Sequence, residues 1–289
     1  MRTLFRHPAL IVALALAATL FLAAQLPGLR INNDIEVFIP PDHPSKLAYE
    51  RMEEVFGSQS LVDVAVHARS GSILEPDRVL LIRELTSRIR ELPHVEEVTS
   101  LTSADYIAGT GEGMEASSLT GDDFTGTPSQ MYELREKLFS WPEMYRRLVI
   151  SEDFTSSQII VSLERGTGTE QRELFYHRLQ QVLQEQEEGD LEYHVAGEPV
   201  SLVLLKKNMV DDLTYLVPVV CLVVLLVLFL SFRRMGAVLL PMITVLMSTV
   251  WAVGAMPLLG MYFSMISTVV PVLLIAVGSA YVIHLFTQY

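Results

Sequence analysis

The residues of this sequence that could carry a proton lie close to its end, among apolar side chains. From Met235 to Tyr289 there is no Asp, Glu, Lys or Arg, and His284 alone titrates near neutral pH. Tyr281 precedes it by three residues, so on a helix the two could form a hydrogen-bonded chain. This spacing predicts a proton relay, with Ser279 as a further polar side chain. A second interpretation stays open, in which His284 only anchors a helix end at the membrane boundary.

Three small or helix-bending residues stand on the same stretch. Pro271 and Gly278 are seven positions apart, which places them close to one face of a helix. A kink and a point of close approach would then meet the same neighbouring helix. Ala280 adds another small side chain nearby. We therefore expect this helix to pack against a neighbour through Pro271, Gly278 and Ala280.

Membrane-spanning helices must position these residues. The chain is 50% hydrophobic with a mean hydropathy of +0.35, which indicates a membrane protein. A helix rises about 1.5 Å per residue and the hydrocarbon layer is about 30 Å thick. The uncharged run 235–289 therefore predicts two crossings, with a break between Pro257 and Met261. The uncharged run 213–232 predicts the crossing before them.

Residues 1–29 are predicted to form the first transmembrane helix. Arg2 and Arg6 are followed there by a long uncharged apolar run. A cleavable secretory signal is the alternative, because Ala23 and Ala24 offer small residues at a plausible cleavage site. An uncleaved span is favoured, since the apolar run is long for a signal core.

The basic residues beside these runs predict the orientation of the chain. Arg2 and Arg6 precede the first span, and Arg233 and Arg234 occupy a very short loop after the second. Both pairs belong on the cytoplasmic side by the positive-inside rule. Four crossings follow, with the N-terminus cytoplasmic and residues 30–212 forming an extracytoplasmic domain. Residues 213–289 then hold spans two to four.

The large domain is acidic. All 34 acidic side chains and 17 of the 21 basic ones lie in residues 30–212, which therefore carry a net charge of −17. Such a surface repels nucleic acid and anionic surfaces, so we expect no nucleic-acid partner. An ordinary solvated acidic surface explains the charge without a cation site.

Residue types that would indicate a cofactor or an enzyme are scarce. The single cysteine, Cys221, lies in an apolar run, which excludes an intrachain disulfide and a cysteine metal cluster. The histidines outside the last span lack metal-ligand spacing, and no Ser/His/Asp or Cys/His grouping has local support. A glycine-rich phosphate loop ending in Lys-Ser/Thr is also missing, so ATP is not the expected energy source. We expect neither a cofactor nor an enzymatic activity.

Two similar β-α-β units can be traced in the domain. Apolar residues alternate with polar ones in the predicted strands and recur with helical spacing in the predicted helices. The fold class is thus an α+β membrane protein, with four transmembrane helices and a ferredoxin-like (split β-α-β) extracytoplasmic domain. Residues 102–157 are an insertion that begins as a loop and continues as a helix near Ser129 to Phe139. The predicted elements are a strand at Leu61–Ala68, a helix from Pro76, a strand at Val95–Leu101, a strand at Gln158–Leu163, a helix from Thr169 and a strand at Leu191–Val195.

Three stretches resemble a known family of membrane proteins. They are FIPPDHPSKLAYERMEEVFG at 38–57, VAGEPV at 195–200, and the segment 232–289 that contains PVLLIAVGSAYVIHLFTQY. Together they are similar to the N-terminal half of resistance–nodulation–division (RND) transporters of the MMPL-like or hydrophobe/amphiphile exporter type. The resemblance implies a porter-type domain and export of lipids or other hydrophobic molecules from the inner (plasma) membrane or the periplasm, driven by the proton gradient. It also implies contact with membrane lipids and an amphiphilic substrate.

One departure from the family pattern concerns the proton path. Many members have an Asp in a Gly-x-Asp-Tyr-like arrangement, which matches Gly278-Ser279-Ala280-Tyr281 with Ala280 in place of the Asp. The resemblance therefore leaves His284 and Tyr281 as the polar groups for this role. RND-like transporters have two halves of six spans, so we expect a fragment or a piece that needs a missing second half or a homo-oligomer. A second class of function stays open: a non-transporting sensor or scaffold whose external domain binds a lipid or a protein.

Overall fold

The described residues form two units, one of helices and one of mixed helix and sheet. The computed structural model describes residues 8–110, 113–121, 123–186, 189–233 and 235–287. The helical unit comprises the chain up to Phe38 and again from Leu204 onward. The α/β unit is Ile39–Val203.

The elements follow one another along the chain as helices α1 to α9 and strands β1 to β6. They are α1 (Pro8–Ala23), α2 (Pro44–Phe56), β1 (Leu61–Ala68), α3 (Pro76–Arg90), β2 (Val95–Thr99), β3 (Asp105–Thr110), β4 (Gly113–Ser118), α4 (Pro128–Ser140), α5 (Pro142–Tyr145), β5 (Ser156–Leu163), α6 (Thr169–Gln184), β6 (Leu191–Gly197), α7 (Glu198–Phe232), α8 (Met235–Leu258) and α9 (Val269–Thr287).

A four-stranded antiparallel sheet is the frame of the α/β unit. Its strand order is β2-β5-β1-β6, so β1 and β5 occupy the centre. Val62, Val64 and Val66 of β1 are fully buried while the residues between them are partly exposed, as the alternation in the sequence predicts. Each such side chain contributes roughly 1.5–3 kcal/mol to stability. Most of the core side chains that the sheet contributes therefore come from β1 and β5.

Helices α3 and α6 supply the rest of this core. Both bury one apolar stripe and turn charged residues outward, as amphipathic helices do. The two helices predicted to begin near Pro76 and at Thr169 are confirmed, because α3 begins at Pro76 and α6 at Thr169. The buried side chains of the two helices are Val79, Ile82, Leu85, Thr86 and Ile89 of α3 and Phe175, Leu179, Val182 and Leu183 of α6.

Gly197 ends β6 at a point of close backbone approach to β1. Its φ of 124° is a conformation that residues with a side chain rarely adopt. A Cβ atom at this position would overlap the carbonyl oxygen of Leu61 and lie 3.1 Å from the Cα of Val62. Glycine therefore allows the last strand of the sheet to pair with β1 along its whole length.

The insertion differs from its prediction in its first part. The segment expected to be a loop contains a hairpin, in which β3 pairs with β4 from Asp105↔Ser118 onward. Ile107 of this hairpin is 43% exposed, so at this position the strand has no buried apolar side chain of the kind that marks a strand in a sequence. The helix expected near Ser129 to Phe139 is α4, and Thr127 and Gln130 form the capping box that starts it.

Three helices are long and apolar enough to cross a membrane. Within the described residues these are Ala9–Gly28, Glu198–Phe232 and Val238–Leu258, while Val269–Tyr281 is a shorter apolar helix. The chain is thus a mixed helix and sheet membrane protein. The fourth crossing stays a prediction.

The link between α8 and α9 is longer than the sequence indicated. The predicted break between Pro257 and Met261 extends to residue 268, and α9 begins at Val269 rather than Tyr262. Phe263 explains the difference, because its backbone pairs with the segment after α1 instead of joining a helix. Its amide donates to the carbonyl of Arg30 at 2.8 Å, and its carbonyl accepts from the amide of Asn32 at 3.1 Å.

Candidate functional site

Helix α8 packs directly against α1. At Gly254 the two backbones nearly touch, because an added Cβ would overlap the carbonyl oxygen of Leu22 and lie 2.9 Å from its carbonyl carbon. One turn earlier, the indole N–H of Trp251 donates to the hydroxyl of Thr19 at 2.8 Å. That hydroxyl donates in turn to the carbonyl of Ala15 at 2.7 Å. Close approach at a glycine combined with an interhelical hydrogen bond is typical of helix pairs in membranes.

Helix α9 packs against the same α8 through part of the predicted small-residue set. An added Cβ at Gly278 would lie 3.0 Å from a methyl group of Val245. Pro271 is buried, and so is Ser279, which is 8% exposed. The hydroxyl of Ser279 donates to the carbonyl of Ala276 at 2.7 Å, so its donor proton is used within its own helix.

The remaining predicted residues lie on the face of α9 that is open in this structure. Tyr281 is 74% exposed and Ala280 is exposed beside it. Together with Ala276 and Val277 they line an open hollow of about 490 Å³. His284 belongs to the last turns of α9, but its side chain lies outside the described residues. The structure therefore brings Gly278 to α8, buries Ser279 and leaves Ala280 and Tyr281 exposed.

Asn33 joins three segments of the helical unit, and the sequence analysis did not identify it. Its side-chain amide donates to the sulfur of Met209 on α7 at 3.1 Å. Its side-chain oxygen accepts from the backbone amide of Met265, in the link before α9, at 2.8 Å. Met209 is 5% exposed. A polar residue directly after the first apolar run was the available signal, because such residues often satisfy backbone groups at span ends.

A groove between α1 and α8 was also not predicted. It has a volume of about 720 Å³, within the range of roughly 300–1,000 Å³ usual for ligand sites. Small residues on both helices, such as Ala15 and Gly236, leave the space open. Its lining consists of Ile11, Val12, Ala15, Leu16, Gly236, Leu239, Leu240, Ile243, Thr244, Met247, Ser248 and Trp251.

The polar groups of the α/β unit are engaged in local contacts. His67 and Ser156 lie 2.9 Å apart across β1 and β5, and the amide of Gln158 donates to Asp63 at 2.7 Å. Hydrogen bonds that Ser151 and Thr155 donate lower the pKa of the Asp153 carboxyl, and the one from Ser151 has the largest effect. In the part of the chain that the structure describes, no group of three or more His, Cys, Asp or Glu side chains could hold a metal ion. These contacts stabilise the strands and the loop before β5.

Comparison with known proteins gives two findings. The profile of the MMPL family matches residues 37–289, which include the whole α/β unit and helices α7 to α9. The chain is also 23% identical over 298 aligned positions to the membrane protein MJ1562 of Methanocaldococcus jannaschii. That alignment covers 98% of this chain and 72% of the relative.

Proposed function

The chain belongs to the MMPL family of membrane transporters, and we propose that it is the N-terminal portion of an RND-type exporter of lipids or other hydrophobic and amphiphilic molecules. The observation that carries this proposal is the family match over residues 37–289, which includes parts of both units. The proton gradient is the proposed energy source, in keeping with the absence of a phosphate-loop motif from the sequence. The match favours a transporter over a sensor or scaffold.

The proposed architecture has four crossings and one extracytoplasmic domain. Residues 1–29 form the first span, 30–212 the domain and 213–289 spans two to four. The sheet order β2-β5-β1-β6 supports a ferredoxin-like domain, because two consecutive β-α-β units produce this order when all neighbours are antiparallel. We assign the protein to the inner (plasma) membrane of the cell because the family resemblance implies it, and we infer its orientation from the flanking arginines.

The open face of α9 is the proposed place of proton transfer. Ala280 occupies the position where many members carry an Asp, and the side chains beside it face away from α8. We propose that a helix from a second transporter half, or from a second copy of this chain, packs on this face. A carboxylate from that helix would pair with Tyr281 or His284, since ionisable groups in membranes face the bundle interior and pair with one another.

Efflux from whole cells tests the proposed activity. A host strain that lacks this chain should retain more of a fluorescent amphiphile than the same strain carrying it, because export from the membrane is lost. A water-soluble dye of similar size is the control and should show no difference. A sensor or scaffold would leave the retention of both dyes unchanged, which would refute the transporter assignment.

Cysteine labelling tests the proposed orientation. In a chain with Cys221 replaced by serine, the variants His43→Cys and Arg233→Cys are exposed to a membrane-impermeant thiol reagent in intact cells. We expect the cysteine at position 43 to react and the one at position 233 to react only after the cells are broken. Labelling of position 233 but not position 43 in intact cells would reverse the orientation.

A further inference from the structure

The groove between α1 and α8 suits an apolar ligand, because the donors of its polar side chains are already used in hydrogen bonds. The hydroxyl of Thr244 donates to the carbonyl of Leu240 at 2.9 Å, and that of Ser248 donates to the carbonyl of Thr244 at 3.0 Å. The third polar group, the Trp251 indole, donates to Thr19. The rest of the lining is apolar or glycine. A hydrocarbon chain therefore suits this surface, and water does not.

The groove between the two helices has a direction, which the contacts at one end and the lining residues define. They touch where Gly254 meets Leu22, and the Trp251–Thr19 hydrogen bond lies one turn before this contact. From there the lining continues back along both helices to Gly236. The groove is therefore closed at the Gly254 contact and extends toward the start of α1 and of α8.

Among the described residues, Arg233 carries positive charge on the segment that leads into the open end of the groove. Arg233 is exposed and precedes the first residue of α8 by two positions. In the sequence, Arg234 follows it, and Arg2 and Arg6 come shortly before α1. No acidic residue occurs before Asp34 or after Asp212, so nothing in these segments offsets the four arginines. A polybasic segment beside an apolar surface attracts anionic lipid headgroups.

From these observations we propose that the groove is a binding site for an anionic phospholipid. One acyl chain lies between α1 and α8, and Arg233 holds the phosphate at the open end of the groove. The apolar lining fits the chain, and the charge at the open end selects the headgroup. This site is separate from the face of α9 proposed for proton transfer, and it does not depend on which substrate is exported.

Trp251 provides a direct measurement of occupancy, because it lines the groove. In the variant Trp141→Phe it is the single tryptophan of the chain. The purified chain in mild detergent is titrated with phosphatidylglycerol brominated on its acyl chains, which quenches nearby tryptophan fluorescence. Saturable quenching is expected, at a lower mole fraction than with brominated phosphatidylcholine. Unbrominated phosphatidylglycerol should reverse it.

Two variants with a matched control locate the site. Ala15→Phe fills the groove and should abolish the saturable quenching, whereas Ala13→Phe, on the exposed side of α1 outside the groove lining, should retain it. Arg233→Gln should reduce the preference for phosphatidylglycerol about fivefold, as expected for one basic side chain near an anionic headgroup. This second variant keeps the test decisive if Ala15→Phe fails to fold.

Three results would overturn the proposal. Equal, non-saturable quenching by both lipids would show that Trp251 meets only bulk lipid or detergent. Equal quenching in Ala15→Phe and Ala13→Phe would place the lipid outside the groove. A preference unchanged in Arg233→Gln would remove Arg233 from the headgroup site.

Discussion

Replacing Gly254 by alanine is expected to destabilise the helical unit and to separate α1 from α8. The added methyl group would overlap the backbone of Leu22, which cannot turn away as a flexible side chain could. Overpacking of this kind costs about 1–3 kcal/mol and sometimes more. Separation of the helices would also break the hydrogen bond between Trp251 and Thr19, whose length is 2.8 Å. The variant should therefore show altered Trp251 emission and a lower thermal midpoint in detergent.

Gly236→Ala is the matched control for this prediction. It makes the same chemical change in the same helix, but nothing lies within 4 Å of the added Cβ. Alanine is favoured over glycine in a helix by about 1 kcal/mol, so this variant should be as stable as the original chain or slightly more stable. Equal midpoints for the two variants, measured in a Trp141→Phe background, would show that the close contact of α1 and α8 is not formed.

Replacing His284 by alanine is expected to abolish gradient-dependent export while leaving the amount of protein in the membrane unchanged. The reason is that the apolar run 235–289 offers no other side chain that titrates near neutral pH. The comparison is made in cells with the complete transporter, by following an amphiphile before and after a protonophore is added. The difference between the two rates should vanish in the variant.

His177→Ala serves as the control, because His177 is an exposed histidine of α6 in the other unit. It should export as the original chain does. If His284 only anchors the end of α9, the two alanine variants will behave alike and the relay hypothesis is wrong. Loss of the protein from the membrane in His284→Ala alone would indicate a structural role instead.

Elements with a strong hydrophobic period could be predicted from the sequence. The alternation around Val62, Val64 and Val66 located β1 to the residue, because one face of a strand must be buried whatever its partners are. The start of α3 followed from Pro76, which favours the first turn of a helix. Such local signals do not depend on the rest of the fold.

Features that depend on pairing between distant segments could not be predicted. The Trp251–Thr19 hydrogen bond and the Asn33–Met265 contact each join residues 232 positions apart. Apolar composition shows that the segments are helices or their ends, but every apolar face of a membrane helix is a possible contact surface. The late start of α9 has the same origin, since Phe263 pairs with the segment after α1.

For the residues singled out on α9, the sequence did not indicate which of them would pack against α8. Pro271, Gly278 and Ala280 share a small-residue stretch, yet Gly278 lies against Val245 while Ala280 is exposed. The sequence could not make this distinction because residues two positions apart on a helix point in clearly different directions. The prediction that Tyr281 and His284 act together stays untested.

The central claim is that this chain takes part in export driven by the proton gradient. The most direct measurement is the uptake of a fluorescent amphiphile into inside-out vesicles of the host membrane, prepared from strains with and without the chain. When the vesicle interior is made acidic, we expect uptake only in vesicles that contain the chain, and a protonophore should stop it. Equal uptake in both kinds of vesicle, or uptake that persists after the protonophore is added, would contradict the account.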